Sequence, residues 1–213
     1  MKALSVPAIV FLLLLLITCG DKPLAPISGS DVIVPLAVGN RWAGIQVTIR
    51  MLADDTTACT KTIEIIDEVV IDNERWYRTR QIICDDTLGE DLMYSTRTGG
   101  LWTCYMYDDN TYGEPYLLAK YPAKAGDTYW MGEKVGSGFV TVASIDSMIV
   151  VPYGTLKCYC YTVEWPNIMD FPVVSFCLAP NVGFVTDELY SGFSGVLSVW
   201  QLESFGNISF SID

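Results

Sequence analysis

"GTLKCYCYTVEW", residues 154–165, decides the fold class. Its side chains alternate with a period of two, the period of an extended strand. Leu156, Cys158, Cys160 and Thr162 fall on one face, and Lys157, Tyr159, Tyr161, Val163 and Trp165 on the other. Both faces carry apolar bulk. That predicts a central strand covered on both sides, within a sheet that wraps on itself or within a sandwich.

Outward from this stretch the chain stays rich in Val, Ile, Thr, Tyr and Trp, with turn residues at short intervals. Strands are predicted at 41–52, 60–71, 75–84, 92–96, 101–107, 115–120, 128–131, 139–145, 148–151, 155–165, 173–178, 183–189 and 196–205. Asp72-Asn73, Gly99-Gly100, Gly126-Asp127 and Asp146-Ser147 supply turn chemistry between apolar runs. Links this short join antiparallel neighbours, because parallel crossovers need a dozen or more residues. The expectation is an all-β antiparallel meander over 32–213, forming a strongly curved sheet, an incomplete barrel or a sandwich.

The chain holds seven cysteines, and setting Cys19 aside leaves six. An even set in an exported chain predicts disulfides. A turn over 166–170 places Trp165 opposite Phe171 and, counting back, Cys160 almost opposite Cys177. Bridged Cα atoms must lie within about 7 Å, which that register allows. A tight turn at Asp72-Asn73 brings Cys59 within a few residues of opposing Cys84, and a bulge would close the gap. Cys104 and Cys158 pair only by elimination. The competing reading for each pair is buried free thiols, which pack as small apolar residues.

The compartment is read from "LLLLLITCGDKP", residues 12–23. Met1-Lys2 is a short positive start, 3–17 is almost wholly apolar, and polarity begins directly behind Cys19. The run is shorter than the roughly 20 apolar residues of a membrane-spanning helix and suits a signal-peptide core. Leu16-Ile17-Thr18-Cys19 resembles a bacterial lipobox. The resemblance implies a signal peptide over 1–18 and a Cys19 carrying diacylglycerol and an N-acyl chain. Each buried methylene contributes about 0.8 kcal/mol, so several chains anchor durably where one would not. Segment 20–31, with two prolines, two glycines and two serines, reads as a tether. The expected location is the bacterial cell envelope, on the periplasmic or cell-surface side.

Composition excludes whole classes of function. Lys and Arg number 13 against 25 Asp and Glu. So acidic a surface argues against nucleic acid and against the domain lying flat on anionic lipid. The membrane would be held through the lipid alone. The sequence contains no histidine, which removes Ser-His-Asp and Cys-His hydrolases and histidine-ligated zinc. Carboxylate-pair and Ser-Lys chemistries survive.

Among acids, Asp108, Asp109, Asn110 and Glu114 in "YDDNTYGE" offer oxygen ligands to calcium but lack the twelve-residue EF-hand spacing. A solvated hairpin tip explains them equally. Acid pairs also stand at Asp54-Asp55 and Asp85-Asp86. Glu64, Asp67, Glu68, Glu164 and Glu203 lie on predicted strands, and a glycosidase pair would need two of them across one cleft. Trp76, Trp102, Trp130, Trp165 and Trp200 either line a groove for sugar or lipid or fill a β core.

Four stretches, "VPLAVGNRW" (34–42), "YPAKAGDTYW" (121–130), "VPYGTLKCYCYTVEW" (151–165) and "LAPNVGFVTDEL" (178–189), resemble a loose group of uncharacterised bacterial lipoproteins and secreted β-rich proteins. The chain departs from the group at Tyr153, Leu156 and Asn181, where Ala, Phe and Gly are commoner. The resemblance implies fold and location and brings no catalytic residue. Trp42, Leu156 and Val185 read as core. The expected function is a lipid-anchored, non-catalytic binding or structural module for a protein, glycan or lipid ligand, with no cofactor beyond the covalent lipid. The alternatives are a periplasmic carrier holding a hydrophobic ligand in a β-groove and a carbohydrate-active enzyme with a carboxylate pair.

Overall fold

The computed structural model describes residues 32–107, 111–132, 138–165, 173–192 and 194–207, with the backbone alone at 87–91 and 207. Twelve strands follow one another: β1 (Asn40–Arg50), β2 (Asp55–Ile71), β3 (Glu74–Ile83), β4 (Asp86–Arg97), β5 (Gly100–Tyr105), β6 (Tyr116–Lys120), β7 (Thr128–Met131), β8 (Gly138–Val151), β9 (Gly154–Glu164), β10 (Val173–Ala179), β11 (Gly183–Ser191) and β12 (Val196–Asn207). No helix occurs among the described residues.

All twelve belong to one antiparallel sheet with the order β6-β5-β4-β3-β2-β1-β12-β11-β10-β9-β8-β7. The protein is therefore two six-stranded meanders, β1–β6 and β7–β12, joined along β1 and β12. Asp72 and Asn73 form the β2–β3 turn with φ of 53° and 64°, as a two-residue hairpin turn requires.

The sheet curls until its two edges, β6 and β7, face each other as a nearly closed barrel. Side chains bridge that gap where a backbone ladder is missing. The Tyr129 hydroxyl donates to the Leu118 carbonyl at 2.9 Å and accepts from the Lys120 N–H at 3.1 Å. Tyr161 donates to the Lys120 carbonyl at 2.9 Å, and Lys120 pairs with Asp127 at 2.8 Å.

Inside, Trp42, Ile65, Tyr161, Leu178, Val185, Trp200 and Leu202 are completely buried. Trp42 stacks on Phe205 and meets Phe184 edge-on, while Tyr161 stacks on Phe176. The segment before β1 packs into one end of this core: Ile33 and Val34 are buried, Asn181 N–H donates to the Val32 carbonyl, and Gly39 N–H to that of Ile65. Trp42 Nε1 donates to the Val182 carbonyl at 2.6 Å. Gly183 makes room for this, since a Cβ there would stand 3.0 Å from Trp42 Nε1.

At the β1–β12 junction Gly44 lies opposite Lys61 on β2 and Leu202 on β12. Lys61 reaches past it to Asp187 on β11 at 2.5 Å and sits 5.7 Å from the Trp200 ring centre. One ion pair thus clasps both meanders.

Two expectations need correction. Residues 139–145 and 148–151 are one strand, β8, and Asp146-Ser147 is no hairpin turn. The register between β8 and β9 slips from Val142 to Ser144 and again from Ser144 to Ser147. Extra residues in one strand bend it and increase its twist. Turn-forming residues therefore serve a bulge as readily as a hairpin. The second correction concerns β9, which lies centrally between β8 and β10 but is not covered on both faces throughout. Leu156 and Cys158 are buried in its first half, Tyr161 and Val163 in its second, so the inward parity changes near Tyr159. The β8 bulges lie beside that change. The β8–β9 tip also leaves its own hairpin to reach β12, Tyr153 N–H donating to the Leu202 carbonyl at 3.1 Å.

Candidate functional site

The cysteines show how register positions side chains. Cys160 on β9 and Cys177 on β10 are direct partners in the ladder and form a disulfide with Cα atoms 4.2 Å apart. Cys59 on β2 is bridged to Cys84 behind β3, Cα to Cα 5.1 Å. A register shift between Ile65 and Asp67 moves the β3 end of that hairpin toward Cys59. Cys104 and Cys158 are not bridged to each other, which corrects the pairing by elimination. Each is buried in a different cluster: Cys104 with Trp76 and Met93, Cys158 in the main core. Burial pushes the Cys104 thiol up to about 11, against a lowering influence from Arg97, and the Cys158 thiol up to about 12. Both are apolar packing groups at neutral pH.

Cys19 and the calcium candidates Asp108, Asp109 and Asn110 lie outside the described residues. Glu114 is exposed in the β5–β6 connection. Among the described residues no three Asp, Glu or Cys side chains gather as a metal site would require.

The acids on strands do not converge on one cleft. Asp67 pairs with Arg78 and Glu68 with Arg75, each at 3.7 Å, along the β2–β3 hairpin. Glu64 stands opposite Arg41 and Arg80 in the ladders, Glu164 opposite Phe139, and Glu203 is exposed on β12. Asp55 pairs with Arg50 beside the β1–β2 turn.

The tryptophans divide by face. Trp200 fills the barrel interior, Trp165 packs against the same core, and Trp130 is half-exposed against Phe139. Trp76 and Trp102 lie in a second apolar cluster with Met93 and Cys104. Strand alternation explains it: Tyr77 and Tyr94, the next residues along, point into the main core, so Trp76 and Met93 point the other way. Arg97 lies over this cluster, its guanidinium carbon 4.4 Å from the Trp76 ring centre and 5.4 Å from that of Trp102. Glu74 holds the same guanidinium in a short ion pair.

Here the ends of β3, β4 and β5 meet the segment leading to β1 and enclose an open cleft of about 820 Å³. Its walls are residues 34–37 on one side and Glu74, Arg75, Tyr77, Arg97 and Trp102 on the other. Burial first, and then the nearby Glu68 carboxylate, push the Tyr77 phenol up. Ser95 donates to the Arg75 carbonyl at 2.7 Å, fixing the β3–β4 edge of the cleft.

None of the arginines was singled out in reading the sequence, yet a signal was there. All six, at 41, 50, 75, 78, 80 and 97, fall within the first four strands of an acidic chain.

No family model matches the chain, and no curated protein matches it. Two solved structures resemble it. A protein from Parabacteroides distasonis assigned as a lipoprotein shares 11% identity over 84% of this chain and all of its own length, with a TM-score of 0.48. A protein from Bacteroides fragilis assigned as exported, with a YmcC-like fold, shares 15% identity over 83% of this chain and all of its own length, with a TM-score of 0.51. At that identity the likeness to the Bacteroides fragilis protein is one of fold.

Proposed function

We propose that the chain is a lipid-anchored protein of the bacterial cell envelope, held through acylated Cys19, and acts as a non-catalytic binding module through the cleft beside Arg97. The observation that carries this reading is the contrast between a filled interior and an open, mixed polar and apolar cleft. A ligand held inside the barrel would have to displace Trp42, Tyr161 and Trp200, whereas the cleft needs no core side chain to move. Two disulfides fit an oxidising compartment outside the cytosol. The ion pairs that engage Asp67 and Glu68 with arginines favour a structural use of these acids over a catalytic pair.

Val32 lines the cleft, so segment 19–31 joins the domain beside it and the anchor would keep the site near the membrane. Growth with labelled palmitate tests the anchor: the label enters the wild-type chain and is absent from Cys19→Ser, which leaves the membrane fraction. A chain that never takes label, or a variant that keeps it, overturns the reading.

A further inference from the structure

We infer that the cleft beside Arg97 binds a carboxylate, using the Arg97 Nε–H and the Trp102 indole N–H as paired donors. The inference rests on the reading of the chain as a binding module and adds the chemistry of what it binds.

Both nitrogens are buried, and neither has a hydrogen-bond partner among the described residues. Buried donors are almost always paired with protein or water, so two orphans on neighbouring side chains of one cleft call for an acceptor. Arg41 and Arg78 also carry an orphan Nε–H, but neither lines the cleft.

Indole and guanidinium only donate, so a group that only accepts complements them. An ionised carboxylate offers two such oxygens at one carbon and makes charge-assisted bonds with arginine. Charge limits the group to a single negative charge. Arg75 and Arg97 line the cleft, and each is paired with an acid, Glu68 and Glu74. A phosphate dianion would bring two negative charges beside these carboxylates on a chain of net charge −12, and a monoanion only one.

Glu74 takes one side of the Arg97 guanidinium, and two indole rings lie beneath it. The Nε–H and the indole N–H are closed to water, so a carboxylate reaches them only as these side chains part, and the bonds it forms there displace none to water.

The test is a titration of the purified protein followed by tryptophan fluorescence, since Trp76 and Trp102 flank the guanidinium. Two carboxylate sources are compared with neutral partners: methyl β-D-glucuronide against methyl β-D-glucoside, and N-acetyl-glycyl-glycine against its C-terminal amide. A saturable change is expected with at least one carboxylate and with neither neutral analogue, and which carboxylate responds identifies a sugar acid or a peptide terminus. Trp102→Phe removes the N–H while keeping a ring, and should raise Kd roughly tenfold. Arg97→Lys keeps the charge but loses the Nε donor and should weaken binding similarly. Thermal melts establish that each variant is folded, and either variant suffices if the other is not.

Equal response to neutral analogues, tighter binding of inorganic phosphate, or affinity unchanged in a folded variant would overturn the inference. So would no saturable change with either carboxylate. Palmitate labelling is read independently, so a chain that takes label but no carboxylate fails here alone.

Discussion

The two meanders share strand number, direction and curvature, yet they keep their apolar residues in different ways. β7–β12 turns nearly all of its buried bulk inward: Val140, Val142, Tyr161, Val163, Phe176, Leu178, Val185, Trp200 and Leu202 belong to the main core. β1–β6 sends Trp42, Ile63, Ile65, Tyr94 and Leu101 inward and buries a second set, Trp76, Met93 and Cys104, in a cluster beneath Arg97. Every arginine lies in this first meander, and so do the two that line the cleft. The difference teaches that a sheet with one filled face is a scaffold, while a sheet that builds a small apolar cluster under long cations on its other face also carries an open, charge-lined cleft. Arginine suits that cover, because its planar head lies on aromatic rings while its edge stays free to donate.

Core truncation tests the contrast most severely. Leu178→Ala should cost about 2–5 kcal/mol, and Met93→Ala should fall at the low end of that range. A cavity enclosed by the barrel is hard to close, whereas one in a small cluster at the sheet surface can partly collapse. Urea unfolding of both variants measures this, and a larger loss for Met93→Ala would mean that the outer cluster is the tighter core.

Next comes the line along which the meanders join. A Cβ on Gly44 would stand 1.9 Å from the Gln201 carbonyl oxygen, a backbone atom that cannot step aside alone. Gly44→Ala should therefore cost about 3 kcal/mol, at the top of the usual range for overpacking. Hydrogen exchange should show protection lost on β1 and β12 first. A variant as stable as wild type would mean that this junction is slack.

The disulfides sharpen the comparison further, since each meander has one. Their sequence separations, 25 and 17 residues, are close enough that loop entropy makes both worth about 3 kcal/mol and ranks them within a few tenths. Cys160 and Cys177 sit in mid-ladder, while Cys84 is exposed behind β3. Mild reductant should therefore open Cys59–Cys84 first, as trapping and mass mapping of the freed thiols would show. Equal rates would remove the distinction.

The smallest effect is hidden at neutral pH. Cys104 and Cys158 are raised from 9.0 to about 11 and about 12, both chiefly by burial. A folded-state value above the unfolded one favours the fold fully below pH 9 and loses that contribution as pH rises through 11 to 12. The wild-type melting temperature should thus fall between pH 9 and 11 by more than that of Cys158→Ala. At pH 8 a thiol reagent should label neither residue in the folded protein.

Local order was legible to the degree that it is local. Thr128–Met131 begins and ends as predicted, and the Asp72-Asn73 turn has the positive φ values its residues favour. The Cys160–Cys177 register needed only one turn and a count along two strands. Asp146-Ser147 was misread because Asp and Ser stabilise a bend whether or not the chain reverses there. Pairing Cys104 with Cys158 failed because elimination counts residues without placing them. The cleft went unseen for a related reason: Arg75, Arg97 and Trp102 come from three strands, and only the lateral stacking of those strands brings them together.

By itself, then, the sequence determined the strands, most of their turns and the alternation that gives each strand two distinct faces, because all of these depend on residues a few positions apart. Tertiary structure alone decided that β1 meets β12, that β9 changes its buried face midway, and that an arginine comes to rest over two tryptophans. Those outcomes depend on the twist and bulges summed over twelve strands, and no short stretch of chain contains that sum.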